Sequence, residues 1–325
     1  MNQYQRTKKS NTNWQLFFIA VIYACCVVKI WNTQQDTQDF LANNLFYFLY
    51  TKGFVYKLLT SILLFINVFS IILFSRRFSL LELRNYYPAI LYLLFSCMFA
   101  KTLTVWGMLT GIFVLWGIFP VLFSMNEKNT HPQIFMYGLF CGVLSLIYTP
   151  FLLLLSFIYI IFFKERLYAI RAFILPLIGA GLAYGYLFAG FYLLDQMDKI
   201  PIYFETVKMQ LFDIHFFTSI QWSSMLVFFL IISVLLGFVS FFQIWWKLRF
   251  ITITKRKKCV TLLILLFLQF IFLLFFHAPY AYLLNQVMII LLAIVIPLSM
   301  LYMKRAVIFK IIFFVLFLLT VGSLF

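Results

Sequence analysis

Six of the nine carboxylates in this chain crowd into two polar stretches, and these are the side chains best suited to chemistry. Asp36 and Asp39 lie in QQDTQDFLANNLFYFLYTKG; Asp195, Asp198, Glu205 and Asp213 lie in DQMDKIPIYFETVKMQLFDIHFFTSIQW. Carboxylates at an aqueous surface can take or give protons, and long connections carrying polar groups are where functional residues concentrate. Asp36 and Asp39 also have a purely structural reading. Phe40, Leu41, Leu45, Phe48 and Leu49 approximate one face of a helix lying along a membrane surface, and acids at its start would cap free N–H groups and complement the helix dipole. Capping accounts for both acids without any activity and is preferred to catalysis. His131, His215 and His277 are isolated, and Cys25, Cys26, Cys97, Cys141 and Cys259 sit in or beside apolar runs without metal-type spacing. No metal site or cofactor is expected, and the cysteines read as packing residues.

What positions the acids is a set of membrane spans. The chain has 325 residues, 65% of them hydrophobic and 10% charged, with a mean hydropathy of +1.03; soluble domains carry about 25% charge. The net charge of +16 is spread in short clusters between apolar runs, with no continuous basic face for nucleic acid. Eleven apolar segments are legible, at about 14–31, 57–75, 86–100, 102–124, 134–148, 150–163, 172–194, 223–246, 259–276, 281–303 and 306–324. The third, fifth and sixth are shorter than the roughly 20 residues a crossing needs. The fifth and sixth meet at Thr149-Pro150, where a tight hairpin is expected because proline disfavours helix in the residue before it. Tyr23 stands where a lipoprotein cleavage site takes a small residue, so the first span is expected to be retained.

The densest positive run, residues 247–258 (KLRFITITKRKK), fixes the orientation. Placing it in the cytoplasm puts 19 of the 25 lysines and arginines inside and leaves Lys29, Lys52, Lys57, Lys101, Lys199 and Lys208 outside. The expected fold is therefore all-α: a single polytopic helical bundle over residues 1–325, with about eleven transmembrane segments, N-terminus inside and C-terminus outside. Residues 1–13 form a cytoplasmic tail, 247–258 a basic cytoplasmic loop, and 32–56 and 195–222 the two outer loops, each with a surface helix. In the first loop Gly53 is expected to end that helix. In the second, Phe204, Val207, Leu211 and Ile214 mark the apolar face, with Pro201 near the start. No Asp, Glu, Arg or His falls mid-span, which disfavours an ion-coupled transporter. The notable polar residues in spans are Asn67, Ser96, Thr104, Ser145, Gln269 and Asn285. Gly107 with Gly111, Gly138 with Gly142, and Gly181 with Gly185 form Gly-x-x-x-Gly pairs, expected to let backbones approach closely in lipid.

Arg84-Asn85-Tyr86-Tyr87-Pro88-Ala89-Ile90-Leu91-Tyr92-Leu93, the segment Gly142-Val143-Leu144-Ser145-Leu146-Ile147-Tyr148-Thr149-Pro150 and the glycine-rich seventh span resemble an integral membrane family of Bacteroidetes-type bacteria that has no settled activity. The resemblance covers most of residues 10–195 and implies the bacterial cytoplasmic (inner) membrane as the location. In outline the chain is also similar to C-type glycosyltransferases, which use polyprenyl-phosphate sugars. That second resemblance implies Asp36 or Asp39 as an external base, with Lys101 and Lys57 at the lipid phosphate. The sequence thus leaves three readings, in this order: a non-catalytic component of cell-envelope biogenesis or assembly, a glycosyltransferase-like enzyme acting on a polyprenyl-phosphate-linked sugar, and a lipid or solute transporter. Membrane lipids are expected as partners in each.

Overall fold

The computed structural model describes residues 3–32, 53–78, 85–99, 103–124, 131–165, 170–212, 224–247, 252–275 and 281–300. Among them the regular structure is helical throughout. In chain order the helices are α1 (Gln3–Asn32), α2 (Gly53–Arg77), α3 (Tyr87–Met98), α4 (Val105–Phe113) and α5 (Phe119–Ser124), the last two joined by a π-helical turn, Val114–Ile118. Then come α6 (His131–Ile147), a 3-10 helix (Thr149–Leu154), α7 (Leu155–Glu165), α8 (Ile170–Leu193), α9 (Lys199–Phe212), α10 (Ser224–Lys247), α11 (Ile253–Phe275) and α12 (Ala281–Met300).

Among the described residues five stretches are long and apolar enough to cross a membrane: Trp14–Asn32, Gly53–Arg77, Val105–Phe123, Ile170–Leu193 and Leu283–Met300. With these spans the chain is a helical membrane protein. Tyr87–Met98, His131–Ile147 and Thr149–Phe162 are shorter apolar helices, at the three places where the hydropathy pattern is short. Two boundaries differ from the sequence reading. Gly53 opens α2, four residues before the expected start of the second span at residue 57. The basic loop is also shorter than residues 247–258, because α11 starts at Ile253 and takes Lys255, Arg256, Lys257 and Lys258 into its first turns. Lysine and arginine are good helix formers, and Arg256 N–H already bonds Thr252 C=O at 2.8 Å. The surface helix expected in residues 32–56, and the segment 306–324, lie outside the described residues.

The chain groups into two compact units: residues 1–111, 221–266 and 286–325 form the first, and 112–220 with 267–285 the second. In the first, α1, α2 and α3 pack on one another. Tyr23 OH donates to Ser61 C=O at 2.9 Å, Cys26 Sγ to Leu93 C=O at 3.4 Å, and Ser299 Oγ on α12 to Ser240 Oγ on α10 at 3.0 Å. In the second unit α6 and α8 form the main helix pair. Tyr148 is extended (φ −149°, ψ 109°) and ends α6 one residue earlier than Thr149, the residue that precedes Pro150 and that opens the 3-10 helix. The chain then folds back, with Tyr137 OH donating to Leu154 C=O and Phe157 stacked on Phe272 at 5.5 Å between centroids.

Candidate functional site

The first unit holds a buried polar cluster that α2, α3, α4 and α12 build together. Asn67 of α2 is fully buried, and its Nδ2 donates to Leu63 C=O (3.0 Å) one turn back and to Met108 C=O (2.8 Å) on α4. Tyr92 of α3, also fully buried, accepts from Gln286 Nε2 of α12 at 2.7 Å and points its hydroxyl at Met108 Sδ, 3.6 Å away. Gly111 of α4 faces both amides. A Cβ there would overlap Asn67 Oδ1 and come within 3.1 Å of Gln286 Nε2. In hydrocarbon an unmade hydrogen bond costs several kcal/mol, so these pairings weld the four helices into one register. Asn67 Oδ1, Thr110 Oγ1 and Gln286 Oε1 are buried without a protein partner. The cluster thus consists of neutral amides and hydroxyls with spare acceptor capacity. Among the described residues every buried polar side chain is uncharged.

Helix α4 is started by side chains as well. Thr104 stands at its N-cap, where Oγ1 accepts from Gly107 N–H at 3.1 Å, while Tyr56 OH of α2 accepts from Val105 N–H at 3.2 Å. Gly107 is a buried residue of this first turn.

In the second unit the glycines of α6 meet α8 backbone to backbone. A Cβ on Gly138 would overlap Pro176 C=O; one on Gly142 would lie 2.8 Å from Ala180 Cα and 2.9 Å from Ala183 Cβ. Gly179 of α8 returns the contact, its notional Cβ overlapping Phe135 C=O and lying 2.8 Å from Leu139 N. The stripe of α8 is therefore Pro176, Gly179, Ala180 and Ala183. This corrects the pairing expected through Gly181 and Gly185, where a Cβ meets nothing within 4 Å among the described residues. Two residues along an α-helix is a turn of roughly 200°, so Gly181 faces away from Gly179. Above this pair, Ser145 Oγ and Tyr184 OH are hydrogen-bonded at 2.9 Å. Phe188 of α8 stacks on Phe204 of α9, 5.8 Å between centroids.

The acids divide by location. Asp36, Asp39 and Asp213 lie outside the described residues, as does Lys101. Asp195, Asp198 and Glu205 are exposed. Asp195 does structural work, for with φ 53° it is the left-handed residue that ends α8. Gln196 N–H bonds Phe191 C=O (2.9 Å) and Asp195 N–H bonds Tyr192 C=O (3.1 Å), the paired bonds of a Schellman motif. Lys57 is partly exposed, and its Nζ donates to Trp31 C=O at 2.6 Å, which places a cation at the C-terminal end of α1, where the dipole favours it. Gln286 is the residue that sequence reasoning passed over, choosing its neighbour Asn285. On α12 nearly every described position is buried, so no apolar periodicity tells one polar residue from the next. No family model, curated protein or solved structure matches the chain.

Proposed function

We propose that this chain is a multi-pass protein of the bacterial cytoplasmic membrane that serves as a non-catalytic component of cell-envelope biogenesis or assembly. It crosses about eleven times, with the N-terminus inside and the C-terminus outside. The observation that carries this reading is the Asn67–Met108–Tyr92–Gln286 cluster. Its amides and hydroxyls are directed at fixing four helices to one another, which is the chemistry of a rigid scaffold. Asp195 and Lys57, two of the polar groups on the expected outer side, are likewise engaged in ending helices.

The experiment separates this from the alternative, a C-type glycosyltransferase-like enzyme using a polyprenyl-phosphate sugar with Asp36 or Asp39 as base. Cells whose only copy carries Asp36→Asn or Asp39→Asn are compared with Asp195→Asn for protein level and surface-glycan profile. Asn caps a helix about as well as Asp, so a scaffold accumulates normally and leaves the glycans intact. Glycan loss at normal protein level, on the scale of about 10²-fold for a missing general base, would replace the scaffold reading with the enzyme.

A further inference from the structure

Two basic runs 180 positions apart are brought to one corner of the first unit. α2 ends in Arg76-Arg77, with Phe78 next in the chain, and α11 carries Lys255, Arg256, Lys257 and Lys258 in its first turns. Lys258 Nζ donates to Phe78 C=O at 3.1 Å and stands 5.5 Å from the centre of the Phe78 ring. The Arg77 guanidinium lies 5.9 Å from that same ring. Arg76 Nη2 donates to Tyr86 OH at 2.9 Å with its guanidinium 5.3 Å from that ring, and Tyr86 N–H bonds Gln15 Oε1 of α1 at 3.3 Å. Arg76, Arg77 and Lys258 thus lie against aromatic rings, and all of the cations but the half-buried Lys258 are exposed.

Neither residues 53–78 nor residues 252–275 contain a single Asp or Glu, so these elements supply no counter-charge of their own. Arg76 and Arg77 occupy the last turn of a spanning helix, which puts them where hydrocarbon gives way to headgroups. From there an exposed apolar stripe runs back along α2 through Phe69, Phe65, Ile62 and Leu58, spaced three and four residues apart so that they share one helix face. A cluster of cations beside a lengthwise apolar track complements a molecule with a negative head and a long apolar tail. We infer that this corner binds an anionic phospholipid, its phosphate among Arg76, Arg77 and the α11 cations and an acyl chain along the α2 stripe. Clusters of four or more Lys and Arg at the membrane edge of a span attract such headgroups. The inference rests on α2 crossing the membrane and not on the envelope role.

The test uses the full chain, purified and delipidated in neutral detergent. Phosphatidylglycerol, phosphatidylcholine and inorganic phosphate are added separately, with thermal shift and native mass spectrometry as readouts. Phosphatidylglycerol is expected to raise the melting temperature and to appear as a bound adduct, while the other two do neither. Arg76→Gln with Arg77→Gln should weaken the phosphatidylglycerol response about tenfold or more. Lys255→Gln with Arg256→Gln, at exposed positions away from the aromatic contacts, should do the same and guards against a folding defect in the first variant. Equal responses to phosphatidylcholine, a response to free phosphate alone, or an undiminished phosphatidylglycerol response in the Lys255/Arg256 variant would each overturn the inference.

Discussion

Asp195 turns α8 off by adopting the left-handed region at φ 53°, a conformation that costs most L-residues roughly 1–2 kcal/mol and that Gly, Asn and Asp tolerate best. Asp195→Gly and Asp195→Asn should therefore leave the detergent melting temperature nearly unchanged, whereas Asp195→Val, with its branched Cβ, should destabilise by about 1–2 kcal/mol. A melt in which Asn and Val behave alike would show that the carboxylate charge, and not the backbone, matters there. At Gly111 the restriction is space. Ala adds a Cβ that overlaps Asn67 Oδ1, and displacing that amide breaks its 2.8 Å bond to Met108 C=O. Gly111→Ala should cost roughly 1–3 kcal/mol. Asn67→Ala removes the obstructing atom, so the double variant should lose less than the two single losses added together. Strict additivity in the melts would mean that the amide and the glycine do not share a site.

At the scale of helices, the α6–α8 pair separates a glycine motif from the surface on which glycine is needed. Gly142 has Ala180 Cα 2.8 Å from where its Cβ would be, and a backbone atom cannot rotate out of the way. Gly142→Leu should destabilise by about 3 kcal/mol or more. Gly181→Leu and Gly185→Leu meet nothing among the described residues and should shift stability by no more than about 0.5 kcal/mol, measured as melting of the detergent-solubilised protein. The Gly-x-x-x-Gly spacing was legible in the sequence, but spacing alone names a face without saying which neighbour it meets, and on α8 the meeting face runs through Pro176, Gly179 and Ala183. Helix bounds were far more legible. Apolar run lengths place α2, α6, α8 and α10 to within a few residues, because the need to bury or solvate side chains in lipid dominates local preference. The start of α11 was not legible, since polarity argued for a loop at Lys255–Lys258 while helix propensity set the backbone. The polar cluster was half legible: Asn67 stands out in an apolar run, but the cluster's other members Gln286 and Tyr92 come from α12 and α3 and are joined to it only by tertiary packing.

For the whole molecule, the property that sequence and helices constrain jointly is topology. α11, α12 and the apolar segment 306–324 follow the basic residues 247–258 in succession, so three crossings separate that run from the C-terminus if each segment spans once. Three is odd, and the two points must then lie on opposite sides. Which side is which is a matter of charge: on the proposed eleven-span threading 19 of the 25 lysines and arginines fall on the side of the basic run and 6 on the other, and the positive-inside rule assigns the richer side to the cytoplasm. A reporter inserted between Arg249 and Phe250, in the short connection that leaves α10 and α11 intact, should read cytoplasmic, and one fused after Phe325 should read external. Opposite sides in the reverse sense would break the charge argument and keep the count of crossings. Both reporters on one side would break the count itself, and the segment to re-examine would be 306–324. Its Lys310 falls within the apolar run, and its flanking Lys304 and Arg305 could hold it along the cytoplasmic surface instead of letting it cross.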